Sequence, residues 1–330
     1  MMRILRILGS LRLTLFGIVL IATGVLLNIY IPGNPDLFIS GPVGFLSLNL
    51  LAAIITRPQM RRQHALLLFH LCLLALVVVV FLGRLTHFKG QVELTEGQWL
   101  EAANLVTVSS GPWYHNILTD IQLQQGPIQV AYTTQNYRQK THSQILLTSA
   151  QGVTEAAMID DNNPLVIDNY RFYITPNKGF SAILRWVDLA GQTVLGAVNF
   201  PSYPALDFKQ KQQWVTPEGE KLSLRLIIEN IADANNNWIL SSKVSKPRLD
   251  VIVNDKVHTS LFPGDSMKLS GGELQFMQLK MWMGYYINYD PNSRWIFLIA
   301  LLGVLAMSLH LYGRQVNAPT LVRKLVAVEK

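Results

Sequence analysis

The chain has 330 residues, of which half are hydrophobic and only 15% are charged, with Lys and Arg exceeding Asp and Glu by 28 to 21. A soluble domain carries about 25% charged residues, so this composition excludes a chain that is soluble throughout. The single cysteine, Cys72, excludes a disulfide framework, thiol-disulfide exchange by a CxxC pair and any Cys-rich metal site.

The apolar residues gather in four runs, Leu11–Ile31, Leu37–Ile55, Ala65–Gly83 and Trp295–Tyr312. Each has roughly the 17 to 25 residues that a helix needs to cross the bilayer core. None contains Asp, Glu or Lys, and Arg12, at the start of the first, is their one charge. The first run follows a basic segment, Arg3 and Arg6, as a secretory signal does. It is longer than a signal core and lacks a small-x-small cleavage site, so a permanent span is expected. Pro32-Gly33-Asn34-Pro35 then turns the chain into the second run, where Gly41-Pro42 and Gly44 loosen the first turns.

Basic residues outside the large central segment fall at Arg3, Arg6 and Arg12, at Arg57, Arg61 and Arg62, and at Arg314, Arg323, Lys324 and Lys330. Four spans put all three groups on one face. The positive-inside rule makes that face the cytoplasm, with both termini there and the central segment exported. The excess of positive charge therefore follows topology and gives no ground for a nucleic-acid partner.

Between the third and fourth spans, residues 85–294 read as one exported β-rich domain, a sandwich or an open barrel. Alternation marks strands at Gln144–Thr148, Leu165–Ile174, Ser181–Val187, Leu222–Ile228, Arg248–Val253 and Leu274–Met281. Turn signals stand at Asp188–Gly191, Pro217–Gly219, Val253–Asp255 and Ser270–Gly272, and a helix is expected only around Glu96–Leu105. Tyr285, Tyr286, Tyr289 and Trp295, just before the last span, suit an interfacial aromatic belt.

Seven histidines carry the chemical range of the chain. His64, His115, His142 and His258 read as surface residues; His87, just beyond the third span, is a weak candidate for an interfacial ligand. His70 and His310 lie within spans, where an ionisable group marks a functional site by default. At ~1.5 Å per residue they sit on the order of 12 Å and 6 Å beneath the basic flank, in one leaflet. A neutral imidazole there serves either as a haem-iron ligand or as a hydrogen bond between packed helices. No GxSxG, HExxH, phosphate loop or dinucleotide fingerprint is present.

Three spans, a large β-rich domain and a fourth span resemble the ResB family of system II cytochrome c biogenesis. Phe69-His70-Leu71, then Gly83, then Gly90-Gln91-Val92-Glu93-Leu94-Thr95-Glu96-Gly97 resembles the family's His-helix-Gly segment with its G-x-V-x-L-x-E-G stretch. Pro164 to Tyr173 resembles its central strand pair, and Gly284 to Pro291 its segment before the last helix. The likeness runs from Arg3 to about Arg314. Two departures are a trimmed exported domain and Asn292 where the family has Gly after Pro.

The resemblance implies a subunit of a cytochrome c synthase that carries haem b in transit. Its partners would be a ResC-type membrane protein with a tryptophan-rich haem-handling domain, apocytochrome c and the lipid bilayer. Catalysis of haem attachment would fall to the ResC-type partner, this chain being an accessory subunit. His70 matches the family's axial haem ligand; His310 matches less well, because the family's later histidine falls nearer Gly313. The alternative is a haem-free scaffold whose exported domain docks apocytochrome or a partner protein.

Overall fold

A computed structural model describes residues 2–30, 35–115, 118–149, 151–228, 236–243, 246–253 and 256–328. The chain divides into two compact units, Met1–Thr86 with Asp290–Lys330, and His87–Tyr289.

The first unit is helical: α1 (Met2–Leu8), α2 (Leu11–Tyr30), α3 (Pro35–Thr56), α4 (Pro58–Arg62), α5 (His64–Thr86) and α6 (Ser293–Val328). Among the described residues three segments, Phe38–Thr56, His64–Thr86 and Ser293–Val316, are long and apolar enough to cross a membrane. Met2–Leu8 with Leu11–Leu27 passes the same test as a pair bent by 47°, giving a fourth span if the pair counts as one. The Pro32–Asn34 link lies outside the described residues. Pro42 is accommodated inside α3. The basic stretch after Thr56 forms the short helix α4 rather than a plain turn; Pro58 at its first turn suits a position that needs no N–H donor.

Small residues set the helix spacing. Any Cβ at Gly17 or Gly24 of α2 would collide with Leu46 or Phe38 of α3, so the two helices pack at backbone distance. On α6, a Cβ at Gly303 would lie 3.3 Å from the Cys72 Cβ of α5, and the neighbouring Ala306 is 1% exposed.

The second unit holds fifteen strands: β1 (Phe88–Thr95), β2 (Leu105–Ser110), β3 (Gln122–Tyr132), β4 (Arg138–Thr148), β5 (Thr154–Asp160), β6 (Leu165–Ile167), β7 (Tyr170–Asp188), β8 (Thr193–Asn199), β9 (Lys211–Val215), β10 (Lys221–Ile227), β11 (Trp238–Leu240), β12 (Arg248–Val253), β13 (Lys256–Leu261), β14 (Ser266–Leu269) and β15 (Gly272–Tyr289). They form three antiparallel sheets. One runs β2-β1-β15-β7-β6, with β14 added to β15 and β8 to β7; the others run β13-β12-β10-β9 and β11-β3-β4-β5.

The long pair β7 and β15, in register from Gly272↔Asp188 to Tyr289↔Tyr170, is the spine of the largest sheet. Register shifts at Phe276/Gln278 and Met283/Tyr285 divide it, and each half recruits different neighbours. Phe180, Ala182, Leu184 and Trp186 alternate into one core shared with Leu224, Val251, Val130 and Ile145 from the other two sheets. Gln125 of β3, Ser143 of β4 and Tyr285 of β15 close a buried ring: the Tyr285 hydroxyl donates to Gln125 Oε1 at 2.6 Å, and Gln125 Nε2 donates to Ser143 Oγ at 2.8 Å. Burial pushes the Tyr285 phenol up from its ordinary range.

Three expectations are corrected. Glu96–Leu105 is not an α-helix; it holds one 3-10 turn, Ala102–Asn104, and an isolated bridge from Trp99 to Gln124. Tertiary hydrogen bonds claim its first residues: the Glu96 carboxylate accepts the N–H groups of Ile128 at 2.9 Å and Met281 at 3.2 Å, and Gly97 turns with φ +88°. Leu165–Ile174 is a hairpin, not one strand, because Asp168 adopts φ +53° between β6 and β7. Tyr285 belongs to no interfacial belt; it is 2% exposed in the β core, and Tyr289 packs on Tyr170 and Tyr114. The turn at Val253–Asp255 lies partly outside the described residues.

Candidate functional site: a histidine cavity among the helices

Between α1 and α2 the helical hydrogen bonding breaks, and the carbonyls it frees need donors. Asn49 of α3 supplies them. Its amide nitrogen donates to the carbonyls of Leu8 and, at 3.2 Å, Ser10; its Oδ1 accepts the Thr14 hydroxyl at 2.7 Å. Asn49 is 4% exposed, so these bonds are made out of reach of solvent. Arg57, at the α3–α4 junction, adds a guanidinium bond to the Gly9 carbonyl at 3.1 Å.

These residues form the polar end of a cavity of ≈ 630 Å³ among α2, α3 and α5. Thr14, Asn49 and Arg57 line it together with His70, Met60 and the apolar side chains of the three helices. That volume is within the range of small-molecule and cofactor sites, which are apolar with a few convergent polar groups.

His70 reaches the cavity with Leu73, Leu74 and Val77, residues that recur on one face of α5. Its Nδ1 lies 2.7 Å from the carbonyl oxygen of Leu66, one turn back. A carbonyl only accepts, so Nδ1 carries a proton, and the tautomer this bond favours has its lone pair on Nε2, the atom that could serve a metal or a donor. This is the tautomer-fixing bond that metal-ligating histidines typically make. The donor set fits haem: an imidazole lone pair for iron, an apolar chamber for the ring and a guanidinium for a carboxylate.

His310 does not join this site. Gly303, Ala306 and His310 follow at three- and four-residue steps and share the α6 face that meets Cys72 of α5. On α5, Cys72 and His70 are two residues apart, about 200° around the helix at ~100° per residue. The two imidazoles thus lie on different sides of α5. His87 falls in the other unit, where its Nε2 is 3.5 Å from the Ser109 hydroxyl of β2 and its carbonyl accepts the Gly111 N–H. His64, His115 and His142 are exposed, and His258 is on β13. Among the described residues no cluster of three or more His, Cys, Asp or Glu side chains is arranged to hold a metal ion.

Asn49 is a site residue not singled out in the sequence, and Arg57, expected only as part of the basic flank, lines the cavity as well. The available signal was a lone amide in an otherwise apolar run, and such groups need partners.

Residues 60–251, which are 192 of the 330, match the ResB-like family. The chain belongs to the ResB-like family. Membership implies a role in cytochrome c biogenesis. The match takes in α5 with His70 and the β unit through most of β12, and leaves out α1 to α3, β15 and α6 with His310. No curated protein matches this ResB-like chain.

Proposed function

We propose that this ResB-like chain is a haem-delivery subunit of a system II cytochrome c synthase. His70 binds the iron of haem b in transit through Nε2, the apolar walls hold the macrocycle, and Arg57 pairs with a haem carboxylate at the basic end. The observation that carries this reading is one imidazole, its tautomer fixed by the Leu66 carbonyl, lining a cavity of ≈ 630 Å³ with a guanidinium at its polar end. The termini and the Arg57–Arg62 segment face the cytoplasm, and the β unit is periplasmic on the bacterial inner membrane. Because His310 is on another side of α5, the second axial ligand comes from a ResC-type partner. That partner performs the attachment to apocytochrome c.

The absorbance spectrum of the detergent-purified protein tests this, with and without the partner. A Soret band is expected that needs the partner, disappears in His70→Ala with the protein still inserted, and returns with added imidazole. A band from the chain alone would return His310 to consideration as the opposing ligand.

A haem-free scaffold is the second reading. It is favoured by β8, which among the described residues pairs with β7 alone and whose Val194 and Leu195 are 51% and 66% exposed. Such an edge suits strand addition by an extended client. Absence of haem from every preparation, with maturation still dependent on the chain, would favour this reading.

A further inference from the structure

β9 closes one edge of the four-stranded sheet β13-β12-β10-β9, and among the described residues no strand pairs with its outer side. Which of its residues bond to β10 is fixed at both ends: the Leu226 N–H donates to Gln210 O at 2.9 Å and the Thr216 N–H to Glu220 O at 2.9 Å. Even-numbered residues of β9 therefore turn their main-chain groups toward β10, and Lys211, Gln213 and Val215 each direct an N–H and a C=O away from the sheet. All three residues are exposed. The even positions hold the strand in place: Trp214 meets Trp186 edge to face with ring centroids 6.0 Å apart, and Gln212 Nε2 donates to Asn199 O at 3.3 Å.

The sheet face beside this edge is basic. Arg225 of β10 stands directly across from Lys211, and Asp250 of β12 directly across from Arg225. Asp250 is 2% exposed and already shared: Arg225 Nη2 donates to its Oδ2 at 2.8 Å, and Arg248 Nε at 3.2 Å and Ser260 Oγ at 2.7 Å donate to its Oδ1. One carboxylate thus serves two guanidiniums, while among the described residues neither Lys211 nor Lys221 makes an ion pair. Like charges directly opposite, as Lys211 and Arg225 are, destabilise a ladder. A carboxylate on the open side of Lys211 would relieve that repulsion.

We propose that β9 docks an acidic, extended segment of a partner protein, which adds to the sheet as a fifth strand with a carboxylate opposite Lys211. Alternate residues of such a strand share a face at ~7 Å intervals, so carboxylates at alternate positions run from Lys211 to the level of Lys221. Charge complementarity selects this occupant. An edge lysine deters neutral and basic strands, which would cover its charge without a counter-ion. A free phosphate or a lipid headgroup would meet the charge but leave the N–H and C=O groups of the edge unused. The inference is independent of haem at His70 and of the β8 edge.

Binding of two labelled peptides to the full-length protein in detergent tests it by fluorescence anisotropy, one of alternating Glu and Thr, the other of alternating Lys and Thr. The Glu–Thr peptide is expected to bind and the Lys–Thr peptide not to. Lys211→Glu should weaken the first at least tenfold and admit the second. Proline is tolerated at an edge position whose N–H faces solvent, so Gln213→Pro should leave the melting midpoint unchanged and weaken the Glu–Thr peptide at least tenfold. Lys268→Glu, exposed on β14, is the charge control and should match wild type.

No binding of the Glu–Thr peptide to wild type, or wild-type affinity in both β9 variants, would overturn the site. Loss in Lys211→Glu with wild-type affinity in Gln213→Pro would overturn strand addition and leave a charged face alone. A dimer of the purified protein that Gln213→Pro dissociates would overturn the acidic partner in favour of a second copy. None of these readouts involves haem, so failure here is separable from failure of the His70 reading.

Discussion

Lys178 of β7 is 3% exposed, and its ammonium group donates to the Pro176 carbonyl at 3.3 Å. Burial, reinforced by the charge of Arg138 and opposed by Asp161, pulls its pKa down from 10.5 to about 8. A lysine with a lowered folded pKa binds fewer protons in the folded state than in the unfolded state between those two values, so stability must rise with pH across that window. The gain amounts to roughly 3 kcal/mol at ~1.4 kcal/mol per pKa unit. Thermal melts of the full-length protein in detergent should therefore show a midpoint that climbs from pH 8 toward 10.5. Lys178→Met should flatten that climb and raise the midpoint at pH 7; an unchanged slope would show that the ammonium reaches water. Asp250 shifts in the same direction, so its stability effect also rises with pH, but in an acidic window and because the fold favours its charged form. Burial pushes its carboxyl up, but hydrogen bonds from Arg225 and Ser260, with the charges of Arg248 and Arg225, hold it below its ordinary 3.8. Its contribution is complete above that ordinary value and is lost as pH falls through the lower folded one.

At the scale of elements, the bend between α1 and α2 is held by Asn49 of α3 together with Arg57. Asn49→Leu keeps volume and removes the donors to Leu8 and Ser10 and the acceptor for Thr14. The Ser10 carbonyl keeps the N–H groups of Leu13 and Thr14, and the Thr14 hydroxyl keeps the Ser10 carbonyl, so the Leu8 carbonyl is the group left unpaired, at a cost of about 1–3 kcal/mol. Under the proposed haem function the variant should also bind haem less tightly, since Arg57 is anchored to Gly9 in the same break. A melt midpoint and a haem titration measure both; a variant as stable as wild type would mean that the break finds other donors. The apolar helices and five of the six expected strands were legible because run length and alternation are local properties, and Pro164 to Tyr173 was legible as a strand pair through its resemblance. Strands such as β8 and β14 were not, because their pairing depends on where β7 and β15 shift register. Glu96–Leu105 misled for the same reason: its helix-favouring residues are bound by β3 and β15. His70 stood out as an ionisable residue in an apolar run, but the cavity around it depends on how α2, α3 and α5 are rotated against one another. Periodicity along one helix does not reveal that rotation.

For the whole molecule, the α1–α2 pair decides the topology. Counted as one span it makes four crossings, and the N-terminus, the α3–α5 connection and the end of α6 share a face. Left at one surface it makes three crossings and puts Arg3, Arg6 and Arg12 opposite Arg57, Arg61 and Arg62. The positive-inside rule opposes the second arrangement, and Asn49 supports the first by satisfying the broken backbone within the helices. Cys72 is the only cysteine and is 4% exposed, so Cys72→Ser gives a clean background for single-cysteine labelling. Cysteines replacing Met2, Gln63 and Gln315, all exposed, should react with an impermeant maleimide only after lysis of sealed spheroplasts. One replacing Lys268, exposed on β14 of the other unit, should react before lysis. Reaction at Met2→Cys in sealed spheroplasts, with Gln63→Cys protected, would establish three crossings. The wall that α2 gives the His70 cavity would then come from a helix that does not cross the membrane, and Arg57 could not meet a carboxylate entering beside the N-terminus.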